Sequence, residues 1–347
     1  MTSPGRAIEI VKSPAFTDPY ISGQIDRLNA DGSSIWRVAE VPGKGLGLIA
    51  TQNIELGDHI MSTTASVMID YNVFYDTTAQ QLIDMEVAAV RYLPDKHRRT
   101  FLNLSTHDHA GDYEAQVSKV ILTNSFDIPS SGFITYEEDS EENNFYTVFP
   151  EISRMNHDCR PNADYYFDPE TFAQHIHAVR PITAGEEITI SYIDTVQTQQ
   201  GRLARLNHSW HFPCSCSSCT QNKYLTAASD ARIRQIQVVR KQLQDWGPHS
   251  QATTAMAELL ISLYRQERLW TMLYEAYTYA AIEYNGDGEP WLATKYARLA
   301  IHHGLASGGP SNPDVVEMMA LVTDPWAHWS WMLRTQKRMN WAAHVEE

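Results

Sequence analysis

The sequence predicts an α+β protein: a β-rich half carrying a helical insertion, then a half that is helical almost throughout. Three observations predict it. From Trp36 to about Tyr192, short runs of β-branched and apolar residues alternate with Gly-rich turns. Over about residues 72–122 the apolar residues switch to helical spacing. From about Tyr224 that spacing continues to the end of the chain. The expected parts are an N-terminal extension (1–33), a β-rich domain (34–200), a cysteine-bearing segment (201–223) and a helical domain (224–347).

In chain order, WRVAEV and LIATQNI flank the turn PGKGLG and read as a hairpin, followed by LGDHIMS. DTTAQQLIDMEVAAVRYL opens on an Asp/Thr capping signal and places Leu82, Met85, Ala89 and Leu93 at helical spacing. LPDKHRRTFLNL reads as a second short helix with Pro94 near its start. Val117–Ile128 reads as a helix running into a turn, and EEDSEENN (Glu137–Asn144) as a mobile acidic loop tip. FYTVFPEIS, ADYYFD, FAQHIHAVR and EEITISYID are strand-like. In the helical half, Ile233, Ile236, Leu243 and Trp246 share a face, as do Met256, Leu260 and Leu263. EPWLATKYARLAIHHG is expected to stop at Gly304, and NPDVVEMMALV to start with Pro313 in its first turn. Trp291 and the tyrosines of this half are assigned to its core. The helix pairs suggest a degenerate helical-repeat array without a strict period.

At 347 residues the chain can hold two domains. Its net charge of −15 and the lack of a basic stripe argue against a duplex nucleic-acid partner. The acidic balance suits a basic protein partner, and solubility alone also explains it. No apolar run approaches the roughly 20 residues of a membrane-spanning helix, and the first residues lack the apolar core of a secretory signal. The expectation is an intracellular monomer, in cytoplasm or nucleus. In that reducing setting, four cysteines point to metal or chemistry rather than disulfides.

Three cysteines form C-x-C-x-x-C at Cys214, Cys216 and Cys219; the fourth, Cys159, stands in RMNHDCRPN. A closed zinc site wants four ligands, and the count fits one all-cysteine site with none left over. His208 or His211 could replace Cys159, which would then be a plain buried thiol. If Cys159 is the fourth ligand, the metal staples the later segment onto Asn156 and His157, with the about 10–16 kcal/mol that structural zinc supplies in small peptides. Metal binding by the His175/His177 pair of HIH is the weaker option.

GKGLGLIA (43–50), NSF (124–126), RMNHDCRPN (154–162), GEEITISY (185–192) and WHFPCSCSSC (210–219), in this order, resemble the SET-domain lysine methyltransferases with a cysteine-rich post-SET segment. The pattern is most similar to the SET-and-MYND branch and related fungal SET proteins. The resemblance covers about residues 34–222 and extends weakly into the helical half. It implies a SET-type fold of small curved sheets, with a knot-like crossing where NHDC meets EEITISY, and a TPR-like C-terminal domain. It implies S-adenosylmethionine on one face and a substrate lysine entering a narrow channel from the other. Lys44, Gly45 and Leu46 would meet the cofactor, Asn156 and His157 would hold it, Phe212 would stack near its adenine, and Asn124 would lie in its pocket. Phe126 would line the lysine channel, and Tyr192 would stand at the methyl-transfer centre. Cys159, Cys214, Cys216 and Cys219 would bind one structural Zn2+. The MYND finger is missing, Asp158 replaces the usual Ser, and STTASVMID lacks an acidic-proline step.

Methyl transfer to an amine is an in-line displacement that needs a neutral nucleophile and alignment. An apolar channel and a nearby positive charge both lower an amine's pKa, so no strong base is required. Read as residues alone, Tyr192 could equally end a strand in the core, Gly45 and Gly47 could form a plain hairpin turn, and Asn156 and His157 could satisfy local backbone groups. The sequence therefore predicts a protein-lysine N-methyltransferase. A non-catalytic scaffold of the same fold, or a transferase with a small-molecule acceptor, is the alternative.

Overall fold

The computed structural model describes residues 35–106, 108–129, 144–247 and 249–345. The N-terminal extension and the acidic stretch 137–143 lie outside the described residues. Among those described, ten strands form three small sheets. The first has the order β1 (Trp36–Val41), β2 (Gly45–Ala50), β10 (Glu187–Ile190), β7 (Asn156–His157). β1 and β2 are the expected hairpin. Its turn needs left-handed backbone at Gly43 (φ 75°) and Gly45 (φ 76°), which glycine adopts without a Cβ penalty. β7 runs parallel to β10, pairing Asn156 with Thr189 and His157 with Ile190, so NHDC and EEITISY do meet. The second sheet is β3 (His59–Thr64), β9 (Ala173–Ala178), β8 (Ala163–Asp168), and the third is β4 (Val67–Asp70), β6 (Asn144–Val148), β5 (Ser125–Pro129).

The insertion comprises α1 (Val73–Asp76), α2 (Ala79–Tyr92), α3 (Asp95–Leu102) and α4 (Tyr113–Asn124). α2 opens with a capping box: Thr78 accepts from the Gln81 N–H, and Gln81 reaches back to Thr78. Its buried stripe centres on Val87 and Val90, packed with Phe101, Val117, Val120 and Ile121 over Val67, Ile69 and Val148 of the third sheet. Leu82 and Met85 are only half-buried, so the stripe lies slightly round the helix from the expected one. After α4 the chain enters β5 rather than a turn, because Ser125–Pro129 find a full antiparallel partner in β6.

After α5 (Gln199–Trp210), the helical half runs α6 (Lys223–Leu243), α7 (Thr254–Glu267), α8 (Leu273–Gly286), α9 (Pro290–Gly308), α10 (Pro313–Thr323) and α11 (Leu333–Val345). From α6 to α10 each helix packs on the next, as a stacked array does. Ile233, Ile236, Leu243, Leu260 and Leu263 are buried in one core, with Trp246 and Met256 against its edge. α9 passes straight through Gly304. That glycine is a close-approach site rather than a stop, since a Cβ there would meet Val315 Cγ2 at 2.6 Å. Trp291 is 75% exposed, not core. The buried stripe of α9 is instead Ala293, Ala297, Ala300 and Gly304, whose small side chains let α8 and α10 come close, and Trp291 lies off that stripe. Of the tyrosines, Tyr264 and Tyr277 are buried, whereas Tyr274, Tyr279 and Tyr284 are half-buried and Tyr224 is exposed. α9 also packs on β8 and β9, joining the two halves.

Histidines lie on that junction. Tyr166 stacks on His175 and His177, His177 sits edge-on to His59, and Ser62 Oγ lies 2.7 Å from both His59 Nε2 and His175 Nδ1. Burial, and then the neighbouring imidazoles His59 and His175, push His177 down to about 4. Burial, and then His302 and Arg265, push His303 on α9 down to about 4 as well. The folded chain thus holds both neutral where the unfolded chain would be protonated. Their contribution to stability is complete above the unfolded value of 6.5 and is lost as pH falls toward 4. Asp164, pushed up to about 7 by burial, works in the opposite direction. Urea melts between about pH 7.5 and 4.5 should therefore show a steeper acid loss in the parent than in His177→Gln/His303→Gln. Parallel profiles would remove this assignment.

Candidate active site and metal centre

The β7–β10 pairing places the ends of two distant segments side by side, and the candidate site grows from there. A cleft of about 380 Å³ is lined by Lys44, Leu46, Asn124, Phe126, Asn156, Tyr192 and Phe212, within the size range of small-molecule sites. All of these were expected at the cofactor or the lysine channel. Gly45 and His157, also expected there, are outside this lining. The cleft collects its residues from the β1–β2 turn, β2, α4, β5, β7 and the segments after β10 and α5.

Lys44 sits in the β1–β2 turn, and its ammonium pairs with Glu187 Oε2 at 2.7 Å. Glu187 Oε1 accepts from Asn156 Nδ2 at 2.8 Å, and the same amide donates to the Leu46 carbonyl at 3.2 Å. One carboxylate therefore orients both polar side chains that face the cleft from this side. The space is tight: a Cβ on Gly47 would lie 2.7 Å from Asn156 Nδ2 and 2.9 Å from Glu187 Oε1. Asn124 ends α4 with its amide donating to the Ser105 and Val120 carbonyls. Phe126 meets Tyr165 edge-on at 5.2 Å, and Tyr165 lines the cleft as well.

Tyr192 follows β10, and its hydroxyl donates to the Met155 carbonyl at 2.6 Å. Burial first, then the nearby Glu187, push its phenol well above the usual range, so it is a neutral hydroxyl at physiological pH and no base. Its ring lies 5.3 Å from His157 and 5.5 Å from Trp210. His157 turns away from the cleft. Its Nδ1 accepts the Tyr192 backbone N–H at 3.1 Å, which leaves the proton on Nε2, 3.3 Å from Cys159 Sγ. Burial pushes this imidazole down to about 4. Its ring also faces Phe212, with centroids 6.2 Å apart.

The four thiols of Cys159, Cys214, Cys216 and Cys219 form the candidate metal centre, with all sulfurs within 4.8 Å of one another. None is in a disulfide. A tetrahedral Zn2+ with bonds near 2.3 Å would hold its sulfurs roughly 3.8 Å apart, and Cys159 Sγ lies 3.5 Å from Cys219 Sγ. The donor set thus fits zinc, and the fourth member is Cys159; His208 and His211 are exposed and outside the cluster. The His175/His177 pair forms no such cluster among the described residues.

Three supporting residues were not expected from the sequence. Glu187 lies in EEITISY, where Ile188 and Ile190 point to the core, so the alternation already aimed Glu187 the other way. Arg202 shares the buried side of α5 with Leu206. Its guanidinium lies against Cys159 and Cys219 and donates to the Gln197 carbonyl at 2.6 Å, placing a cation beside the sulfurs. Asn162, the last residue of RMNHDCRPN, accepts from the Thr189 N–H at 2.8 Å and donates to the Glu187 carbonyl at 2.8 Å. It ties that loop to β10.

Comparison with known proteins agrees with this geometry. Residues 45–193 match the family model described as SET domain. The chain is 28% identical over 211 residues to the histone-lysine N-methyltransferase set5 of Schizosaccharomyces pombe, covering 60% of this chain and 58% of that protein. It is 26% identical over 170 residues to the N-lysine methyltransferase SMYD2-B of Danio rerio (49% of this chain, 35% of that protein). It is 31% identical over 145 residues to human N-lysine methyltransferase SMYD2 (42% and 29%). The matches thus span less than two thirds of each relative's length.

Metal analysis of the purified chain should give one zinc per chain, and Cys159→Ser should abolish it. Four freely titratable thiols in a folded, metal-free chain would contradict the zinc assignment.

Proposed function

We propose that this chain, whose residues 45–193 form a SET domain, is an S-adenosylmethionine-dependent N-methyltransferase acting on a protein lysine. The observation that carries the reading is the convergence of Lys44, Asn156, Phe212, Phe126 and Tyr192 on one cleft. Each comes from a different segment. The relatives named above are lysine methyltransferases by name, which supports the same class of acceptor.

The cleft has the groups such a cofactor needs. Lys44 and Asn156, both held by Glu187, give the cleft a polar side, and Phe212 offers an aromatic face for a base. S-Adenosylmethionine supplies an electrophilic methyl on a positively charged sulfur. The residues do the rest by placement. Phe126 and Tyr165 give an apolar wall against which a lysine side chain loses water, and desolvation favours its neutral amine. The released proton passes to solvent. Tyr192 keeps its own proton on a hydroxyl fixed by the Met155 carbonyl, so its oxygen is left to orient the amine. Alignment of this kind can supply several kcal/mol of a barrier.

The test uses the purified protein with tritium-labelled S-adenosylmethionine and a whole-cell extract. Label in precipitated protein should depend on Tyr192, with Tyr192→Phe lowering turnover by about 100-fold while cofactor binding persists. Label confined to the organic-soluble fraction would move the acceptor to a small molecule. Cofactor binding with no label in either fraction would favour a non-catalytic scaffold.

A second expectation concerns Glu187. Glu187→Gln leaves Lys44 and Asn156 without their shared carboxylate, at a cost of about 1.5–3 kcal/mol for charge-assisted hydrogen bonds. The dissociation constant for S-adenosylmethionine should rise about 10- to 100-fold by calorimetry. An unchanged constant would mean that the carboxylate does not organise the cofactor side.

A further inference from the structure

Between α5 and α6 the three later cysteines lie in a segment without helix or strand, and Cys159 lies in the loop after β7. Two adjacent residues at the end of α7, in the helical half, reach both segments. On one side is Glu267. Its carboxylate accepts from Arg160 Nη2 at 2.9 Å, and its carbonyl accepts from Arg160 Nε. The other guanidinium nitrogen of Arg160 donates to the Cys159 carbonyl at 2.7 Å and to the Thr195 carbonyl at 3.4 Å. Ser229 and Arg232, both 2.6 Å away, complete the set of donors to Glu267. Burial opposes the charge, but Ser229, Arg160 and Arg232 together hold the Glu267 carboxyl below its ordinary value.

On the other side is Arg268, which closes α7 in left-handed backbone at φ 56°. Its guanidinium donates to Ser217 Oγ at 3.1 Å and Ser218 Oγ at 3.2 Å, the two residues between Cys216 and Cys219. Both arms therefore end on Cys159 itself or on residues adjoining a cysteine of the cluster. The Arg160–Glu267 pair is 2% and 4% exposed at its side chains. Apolar side chains of similar volume would stabilise a domain junction as well as a buried ion pair does, whereas charged hydrogen bonds fix direction.

We propose that Glu267 and Arg268 are positioning residues of the metal centre, through which the helical half sets how firmly the four thiols retain their metal. The two arms hold the cysteine segments against each other from outside the β-rich domain. Because Phe212 stands two residues before Cys214, and His157 links Cys159 to the Tyr192 backbone, the same contacts also set the affinity of the cleft for its cofactor. This last step rests on the methyltransferase reading; the first does not.

The test uses the full chain loaded with one zinc. Arg268→Gly keeps the left-handed cap while removing the guanidinium, and Glu267→Gln keeps the shape while removing the charge. Zinc transfer to a chelating dye, thermal melting, and S-adenosylmethionine binding by calorimetry are read side by side. Arg268→Gly should melt with the parent and release zinc about 10- to 100-fold faster, the usual scale for groups that support metal ligands. Ser217→Ala/Ser218→Ala should reproduce that release rate and add nothing to Arg268→Gly. Glu267→Gln should also release zinc faster, and both single variants should bind the cofactor more weakly. Parent-like zinc release in a folded Arg268→Gly, or faster release only in proportion to a lowered melting point, would overturn the proposal. A parent that binds no S-adenosylmethionine would overturn the functional reading alone, since zinc release is measured without it.

Discussion

The site depends on a very small piece of sheet. Two residue pairs of parallel β-structure, Asn156 with Thr189 and His157 with Ile190, bring RMNHDCRPN alongside EEITISY. So short a ladder would not hold by itself. Asn162 adds hydrogen bonds to the backbone at Glu187 and Thr189, and the Asp158 N–H donates to the Ile190 carbonyl at 3.0 Å. With that register set, alternation along the strands dictates the rest. Glu187 faces Lys44 and Asn156, and Ile188 and Ile190 enter the core. A one-residue slip would reverse every one of those directions.

Most of this was legible because it was written in local chemistry. Glycines at 43 and 45 announced a turn, and strand and helix periods separated sheets from insertion. The cysteine count fitted a four-thiol site but left His208 and His211 open as the fourth member, and the placement of Cys159 beside the other three decides it. What escaped depended on tertiary context. Whether Gly304 stops a helix or lets two helices approach depends on Val315, a residue on another element. Trp291 looks like core by composition and is exposed because alanines carry the helix contact. Asn156 and His157 are neighbours in sequence and read there as a pair with a shared task, yet strand alternation sends one to the cleft and the other to the thiols. Glu267 was invisible for a different reason: an acidic residue in an acidic chain carries no signal until its cationic partners are placed, whereas for Glu187 alternation gave the direction but not the partners.

Charge burial recurs in the helical half. Glu283 and Arg334 are both buried and joined at 2.5 Å, and the Arg334 guanidinium also lies over the Trp246 ring at 3.6 Å. Like Arg160–Glu267, this enclosed ion pair links elements far apart in sequence. Enclosed pairs contribute little net stability compared with apolar packing, but breaking one side of either is expensive. They therefore fix how elements dock more than how strongly.

The sequence separation of the thiol cluster also bears on synthesis. Cys159 must wait for Cys219, 60 residues later, and Arg160 for Glu267, 107 residues later. At about 5–20 residues per second, these partners leave the ribosome roughly 3–12 s and roughly 5–21 s after the loop they secure. During that interval Cys159 lacks the three thiols it will face, and Arg160 lacks its carboxylate. The loop that carries Cys159 and Arg160 thus gains its last partner, the Glu267 carboxylate, only when α7 has been made.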